Sequence, residues 1–65
     1  MQEIGSTIRE RREQVGLSQE ELAELSKVSV RTIRNLESGR GNIGIKPLGQ
    51  IARVLGLALS LKATT

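Results

Sequence analysis

Apolar residues along this chain recur at helical spacing in four stretches and at a spacing of two in a fifth. In the first, Ile4, Ile8 and Val15 mark an inner face over residues 1–15, with Arg12 on the same stripe, and Gly16 supplies a stop. The second and third stretches lie back to back: Leu22 and Leu25, with Ala23 between them, then Ile33 and Leu36, with only Ser26 to Ser29 separating the two helices. The fourth opens near Pro47, a residue suited to a first helical turn, and carries Leu48, Ile51, Ala52 and Leu55 before Gly56 ends it. In the fifth, Leu57, Leu59 and Leu61 alternate with smaller or polar residues, which predicts a strand.

The two middle helices have well-marked starts. Ser18 stands three residues before Glu21, the spacing at which a hydroxyl takes one free backbone N–H and a carboxylate reaches back to another, and Leu17 and Leu22 form a hydrophobic staple across that start. Ser29 is a good N-cap for the next helix, with Val28 and Ile33 as its staple pair, and Gly39 ends it. Two short helices joined so briefly must cross steeply, and small Ala23 lets the second approach the first. The result is a helix-turn-helix over residues 19–37. With Ile33 and Leu36 inward, Val30, Arg31, Arg34 and Ser38 fall on or near the outer face of the second helix. Arginines near a helix N-terminus are locally unfavourable, because that end prefers anions. A polyanionic partner reverses the sign of that cost.

Charge sharpens this picture. Residues 1–26 hold three Arg and six Glu, a net −3, whereas residues 27–65 hold seven Lys or Arg and one Glu, a net +6. The basic half begins at the turn before the second helix, as a directed electrostatic footprint would. Composition removes other chemistries. The chain has no Cys, His, Asp, Trp, Tyr or Phe. Disulfides, thiolate chemistry, a His base, a His-ligated metal and an aromatic platform for single-stranded bases are therefore excluded. No nucleophile–base pair or metal set remains, so no enzyme, cofactor or metal is expected. The glycine-rich stretch Ser38–Lys46 fits neither the P-loop nor the dinucleotide fingerprint in spacing. Sixty-five residues allow one domain. A chain of that size buries only about 60% of its unfolded surface, so a partner subunit would help it. The N-terminus has no signal-peptide pattern and no stretch is apolar enough to span a membrane, so a cytoplasmic protein with no membrane partner is expected.

The pattern L-S-Q-x-x-L-A, then V-S, then I-x-x-L-E-S-G, over Leu17 to Gly39, resembles the phage repressor and Cro family of DNA-binding domains. The likeness runs from about Ile4 to Gly56, and the motif is fairly specific because it fixes spacing, caps and small residues together. One departure stands in the turn, where Lys27 occupies the position usually held by Gly. If that position needs positive φ, a Lys is strained there; otherwise the turn differs slightly.

The resemblance implies roles residue by residue. It implies a partly buried bridge between Arg12 and Glu37 that ties the first helix to the third. Gln19 would sit against the DNA backbone and brace the recognition helix, and Ser18 would cap or bind phosphate. Val30, Arg31 and Arg34 match positions that face base edges. There an arginine can hold guanine O6 and N7 together and a valine can touch a thymine methyl; the alternative for both arginines is phosphate contact alone. Thr32 and Asn35 would contact backbone or base, and Arg40, Asn42 and Lys46 would flank the sugar–phosphate track.

Family domains usually end in a fifth helix, whereas this tail reads as a strand. A lone strand needs a partner, and the same strand of a second copy, antiparallel about a two-fold axis, is the economical one. This is similar to antitoxins of the HipB kind; the alternative is a short helix docked on the core. The expected architecture is therefore mostly α, a four- to five-helix lambda-repressor-like domain over residues 1–56 with a dimerisation strand or tail over 57–65. The expected function is sequence-specific binding of double-stranded DNA as a homodimer on a palindromic operator, with repression as output. The alternative is an antitoxin that neutralises a toxin protein by contact and regulates its own operon.

Overall fold

The computed structural model describes residues 2–57 and is all-helical there: α1 (Gln2–Val15), α2 (Gln19–Ser26), α3 (Val30–Glu37) and α4 (Ile45–Leu55). The capping chemistry explains the two short helices. Ser18 Oγ accepts the Glu21 N–H at 2.9 Å while the Ser18 N–H donates to Glu21 Oε1 at 2.8 Å, a reciprocal box that satisfies two otherwise free donors. These bonds favour the ionised form of Glu21 and hold its carboxyl below the usual range, the backbone N–H of Ser18 first and its side chain second. Their stabilisation is present above the ordinary carboxylate pKa and is lost as pH falls through the lowered one. Ser29 Oγ accepts the Thr32 N–H at 3.1 Å and starts α3.

Three helix ends share one termination pattern. Leu17, Arg40 and Leu57 each send an N–H five residues back, to Arg12, Asn35 and Ala52 respectively, across a glycine in the left-handed region. At the end of α2 that place falls to Lys27, at φ 62°. The turn thus keeps a left-handed position, and Lys27 adopts it with a Cβ that disfavours it.

The core is Ile8, Leu22, Val28, Ile33, Leu36, Leu48, Ile51 and Leu55, with every helix contributing. The inner faces differ from the sequence reading at three places. Leu25 is 57% exposed, and the buried positions of α2 are Leu22 and Ser26, whose hydroxyl accepts the Val28 N–H. Ile4 and Val15 are also more than a third exposed. The buried stripe of α1 instead runs through Gly5 and Ile8 to Arg12. The reason is Gly5: a Cβ there would collide with the Leu36 carbonyl, so α1 and α3 meet backbone to backbone on that line. Gly49 has nothing within 4 Å of where its Cβ would be, so it serves no close helix approach. Ile45 and Lys46 belong to the first turn of α4 rather than to the preceding loop, and Pro47 follows them in that turn. At the far end, Arg11 Nε donates to the Leu55 carbonyl at 2.9 Å, a cation on the negative end of α4.

Leu57 packs against the core and lines an apolar groove between α1 and α4 with Ile4, Ile8, Leu48 and Ala52. The strand expected over residues 57–65 otherwise lies outside the described residues, Leu59 and Leu61 included. No described helix is long and apolar enough to cross a membrane.

Candidate nucleic-acid interface

The site is built from beneath α3. Arg12 meets Glu37 through two parallel bonds, Nε to Oε2 at 2.7 Å and Nη2 to Oε1 at 3.0 Å, while Nη1 donates to the Leu17 carbonyl at 2.8 Å. The side chains are only 11% and 4% exposed. A guanidinium used on both edges and a carboxylate gripped bidentately satisfy the conditions under which a desolvated pair holds its place. The hydrogen bond to Glu37 raises the Arg12 pKa, with burial opposing it and neighbouring carboxylates adding to the rise. Arg12 is therefore charged at every working pH; its contribution would fade only as pH rose through that raised value. Gln19, the first residue of α2, adds a third contact: its Nε2 donates to Glu37 Oε1 at 3.0 Å. The bridge thus joins α1, α2 and the last residue of α3.

With Ile33 and Leu36 buried, the rest of α3 stands outward. Arg31 is exposed and makes no ion pair among the described residues. Val30 is half-buried. Thr32 is also half-buried, and its hydroxyl oxygen accepts from Ser29 Oγ at 2.8 Å. Asn35 is exposed, and its carbonyl accepts from the Arg40 N–H and the Ser38 hydroxyl. Arg34 is exposed but engaged: Nη2 donates to Glu20 Oε2 at 2.9 Å and Nε to Gln19 Oε1 at 3.3 Å. Sequence reasoning passed over Glu20. It lies fourteen residues from Arg34, and only the helix crossing brings the two together.

Arg40 and Asn42 are exposed in the loop after α3, and Lys46 is exposed in the first turn of α4. That helix begins at Gly44 with no side-chain cap, leaving its first N–H groups open, a seat suited to an anion. The first turn of α3 likewise contains no acid. Exposed Lys27, Arg31, Arg34, Arg40 and Lys46 thus accompany two helix starts of positive potential. An eight-residue helix is about 12 Å long, comparable to the width of a B-DNA major groove. Among the described residues no His, Cys, Asp and Glu group could hold a metal.

Known proteins resemble this chain in sequence. A family model described as helix-turn-helix matches residues 8–62. A protein of Methanothermobacter thermautotrophicus, named as an HTH-type transcriptional regulator, is 49% identical over 49 residues, which cover 75% of this chain and 71% of that one. Two proteins with the same description, from Sinorhizobium medicae and Rhizobium meliloti, are each 35% identical over 57 residues, covering 88% of this chain. This chain spans only 41% of the length of those two.

Proposed function

This chain belongs to the helix-turn-helix family, in the phage repressor and Cro pattern, and from that membership we propose that it is a DNA-binding transcriptional regulator that recognises a specific duplex sequence. The observation that carries this reading is α3 itself. Its underside is fixed by Ile33, Leu36 and the Arg12–Glu37 bridge, while Arg31 and Arg34 stand exposed above. A rigid base under a cationic face is what base reading requires, because an arginine must present two donors in a fixed plane to guanine O6 and N7. Val30 would meet a thymine methyl, and Thr32 and Asn35 would hydrogen-bond base or backbone. Ser18, Gln19, Arg40, Asn42 and Lys46 would line the phosphate track. The Ser18 hydroxyl already accepts a backbone bond, so its contact would be by donation.

The active form is a homodimer on an imperfect palindrome, with two copies of α3 in successive major grooves about 34 Å apart. One feature supports a second copy: the apolar groove that Ile4, Ile8, Leu48, Ala52 and Leu57 line between α1 and α4. Bound protein would occlude polymerase, and the output would be repression. The same exposed groove favours a second reading, that of an antitoxin meeting a toxin by contact, which co-purification of such a partner would distinguish.

The test is selection of bound duplexes from a random pool at two salt concentrations. The expected result is a two-fold symmetric consensus with half-sites one helical turn apart, held by an affinity that falls steeply with salt. Recovery of no consensus would overturn sequence-specific binding. On the selected duplex, Arg31→Ala should cost about 1–3 kcal/mol and relax one base-pair position in each half-site. Unchanged affinity and unchanged preference would remove Arg31 from base reading.

A further inference from the structure

The Arg34 guanidinium is held along one edge only. Its Nε–H is taken by Gln19 Oε1 at 3.3 Å and one Nη2–H by Glu20 Oε2 at 2.9 Å, and these two donors share one side of the planar group. The end-on pair, an Nη1–H beside the remaining Nη2–H, has no partner among the described residues. Arg34 and Glu20 side chains are 57% and 65% exposed, so the free edge is open to a ligand. Gln19 is itself anchored, because its Nε2 donates to the buried carboxylate of Glu37. A chain of contacts therefore runs from the immobile bridge beneath α3, through Gln19, to the orientation of a surface arginine.

We propose that Glu20, with Gln19, is a positioning residue that fixes Arg34 so that its free edge reads a guanine and its partly neutralised charge disfavours plain phosphate contact. Two physical effects act together. Holding the guanidinium plane removes rotamer freedom before binding, so less is lost when two parallel bonds form to O6 and N7. Pairing the cation with a carboxylate reduces what it gains from phosphates, which every sequence offers equally. Glu20 is stable in this role, because it lies in the first turn of α2, where the helix dipole favours an anion. Loss of Glu20 would leave Arg34 mobile and fully cationic, a better phosphate ligand and a poorer reader.

This inference rests on sequence-specific duplex binding by this chain. Its test is a double-mutant cycle of Glu20→Gln and Arg34→Ala. The probes are the duplex that the wild-type protein selects from a random pool, that duplex with each base pair substituted in turn, and a random-sequence duplex of equal length. Arg34→Ala should abolish a preference of about tenfold at one G·C position per half-site. Glu20→Gln should weaken the preference at that same position by about threefold or more. It should also raise affinity for the random duplex and steepen its salt dependence by about one phosphate contact. In the Arg34→Ala background, Glu20→Gln should change neither the preference nor the salt slope. If Glu20→Gln raises affinity for all duplexes by one factor, with or without Arg34, Glu20 is only a surface charge and the proposal is overturned. It is equally overturned if Arg34→Ala relaxes no position, while specific binding by the chain still stands. A wild-type protein that selects no sequence removes the premise and the proposal together.

Discussion

Two arginine–glutamate pairs meet at α3 at nearly equal distances, 2.7 Å for Arg12–Glu37 and 2.9 Å for Arg34–Glu20, and they do opposite work. The first is enclosed at 11% and 4% exposure, doubly bonded, and joins three helices. The second is open to water at 57% and 65%, singly bonded, and leaves a donor edge free. Separation alone does not distinguish them; the surroundings do. In the interior a lost partner cannot be replaced by water, so the pair behaves as a fixed joint. At the surface water and salt compete continuously, so the pair contributes little to stability, and the unpaired edge of its guanidinium stays open to a ligand. The same two residue types thus make the floor of the recognition helix and its reading face.

The sharpest way to break this comparison is to remove one side of the enclosed pair. Arg12→Met leaves the Glu37 carboxylate buried with only Gln19 as donor, and should cost about 3–5 kcal/mol in urea unfolding. A chain of this size has a total stability of order 3–10 kcal/mol, so the variant should be largely unfolded well below the wild-type midpoint. A loss under about 1 kcal/mol would show that the bridge is not the joint beneath α3. The next largest effect tests the other contact below the helix. Gly5→Ala places a methyl against the Leu36 carbonyl and must push α1 away from α3, for about 1–3 kcal/mol. That loss should come despite the higher helix propensity of Ala, which alone would stabilise the variant. A variant as stable as wild type would mean that the two helices are not in backbone contact at that point.

How far the sequence exposed these features follows from the range of the interactions. The caps of α2 and α3 were readable, since Ser18 with Glu21 and Ser29 with its staple pair act within five residues. The turn was readable up to Lys27, where strain at positive φ and a slightly different turn both stood open; its φ of 62° decides for the first. The buried stripe of α1 was not. Periodicity favoured Ile4 and Val15, whereas the line of contact follows Gly5, a residue with no side chain to register in an apolar pattern. Leu25 failed for a related reason: Ser26 is small enough to be enclosed in the core, with its hydroxyl bonded locally. Of the surface arginines, the sequence identified the face but not the neighbour. Glu20 has the look of an ordinary first-turn acid until α2 and α3 cross.

The smallest expected effect is also the one that separates the two pairs most cleanly. Glu20→Gln removes the exposed ion pair while keeping side-chain length and an acceptor oxygen, so folding stability should change by less than about 1 kcal/mol. It also takes a favourable anion from the first turn of α2, worth a few tenths within that total. Whatever change is seen should shrink when sodium chloride is raised from low concentration toward 1 M, where the screening length falls to about 3 Å. The Arg12–Glu37 contribution, shielded from solvent, should persist over the same range. Urea midpoints measured for wild type, Arg12→Met and Glu20→Gln at both salt levels read the two cases side by side. A large, salt-insensitive loss on removing Glu20 would mean that Arg34 is part of the frame. The Arg34–Glu20 contact would then belong to the fixed joint between α2 and α3, like the enclosed pair, and its loss would disturb the fold before it disturbed reading.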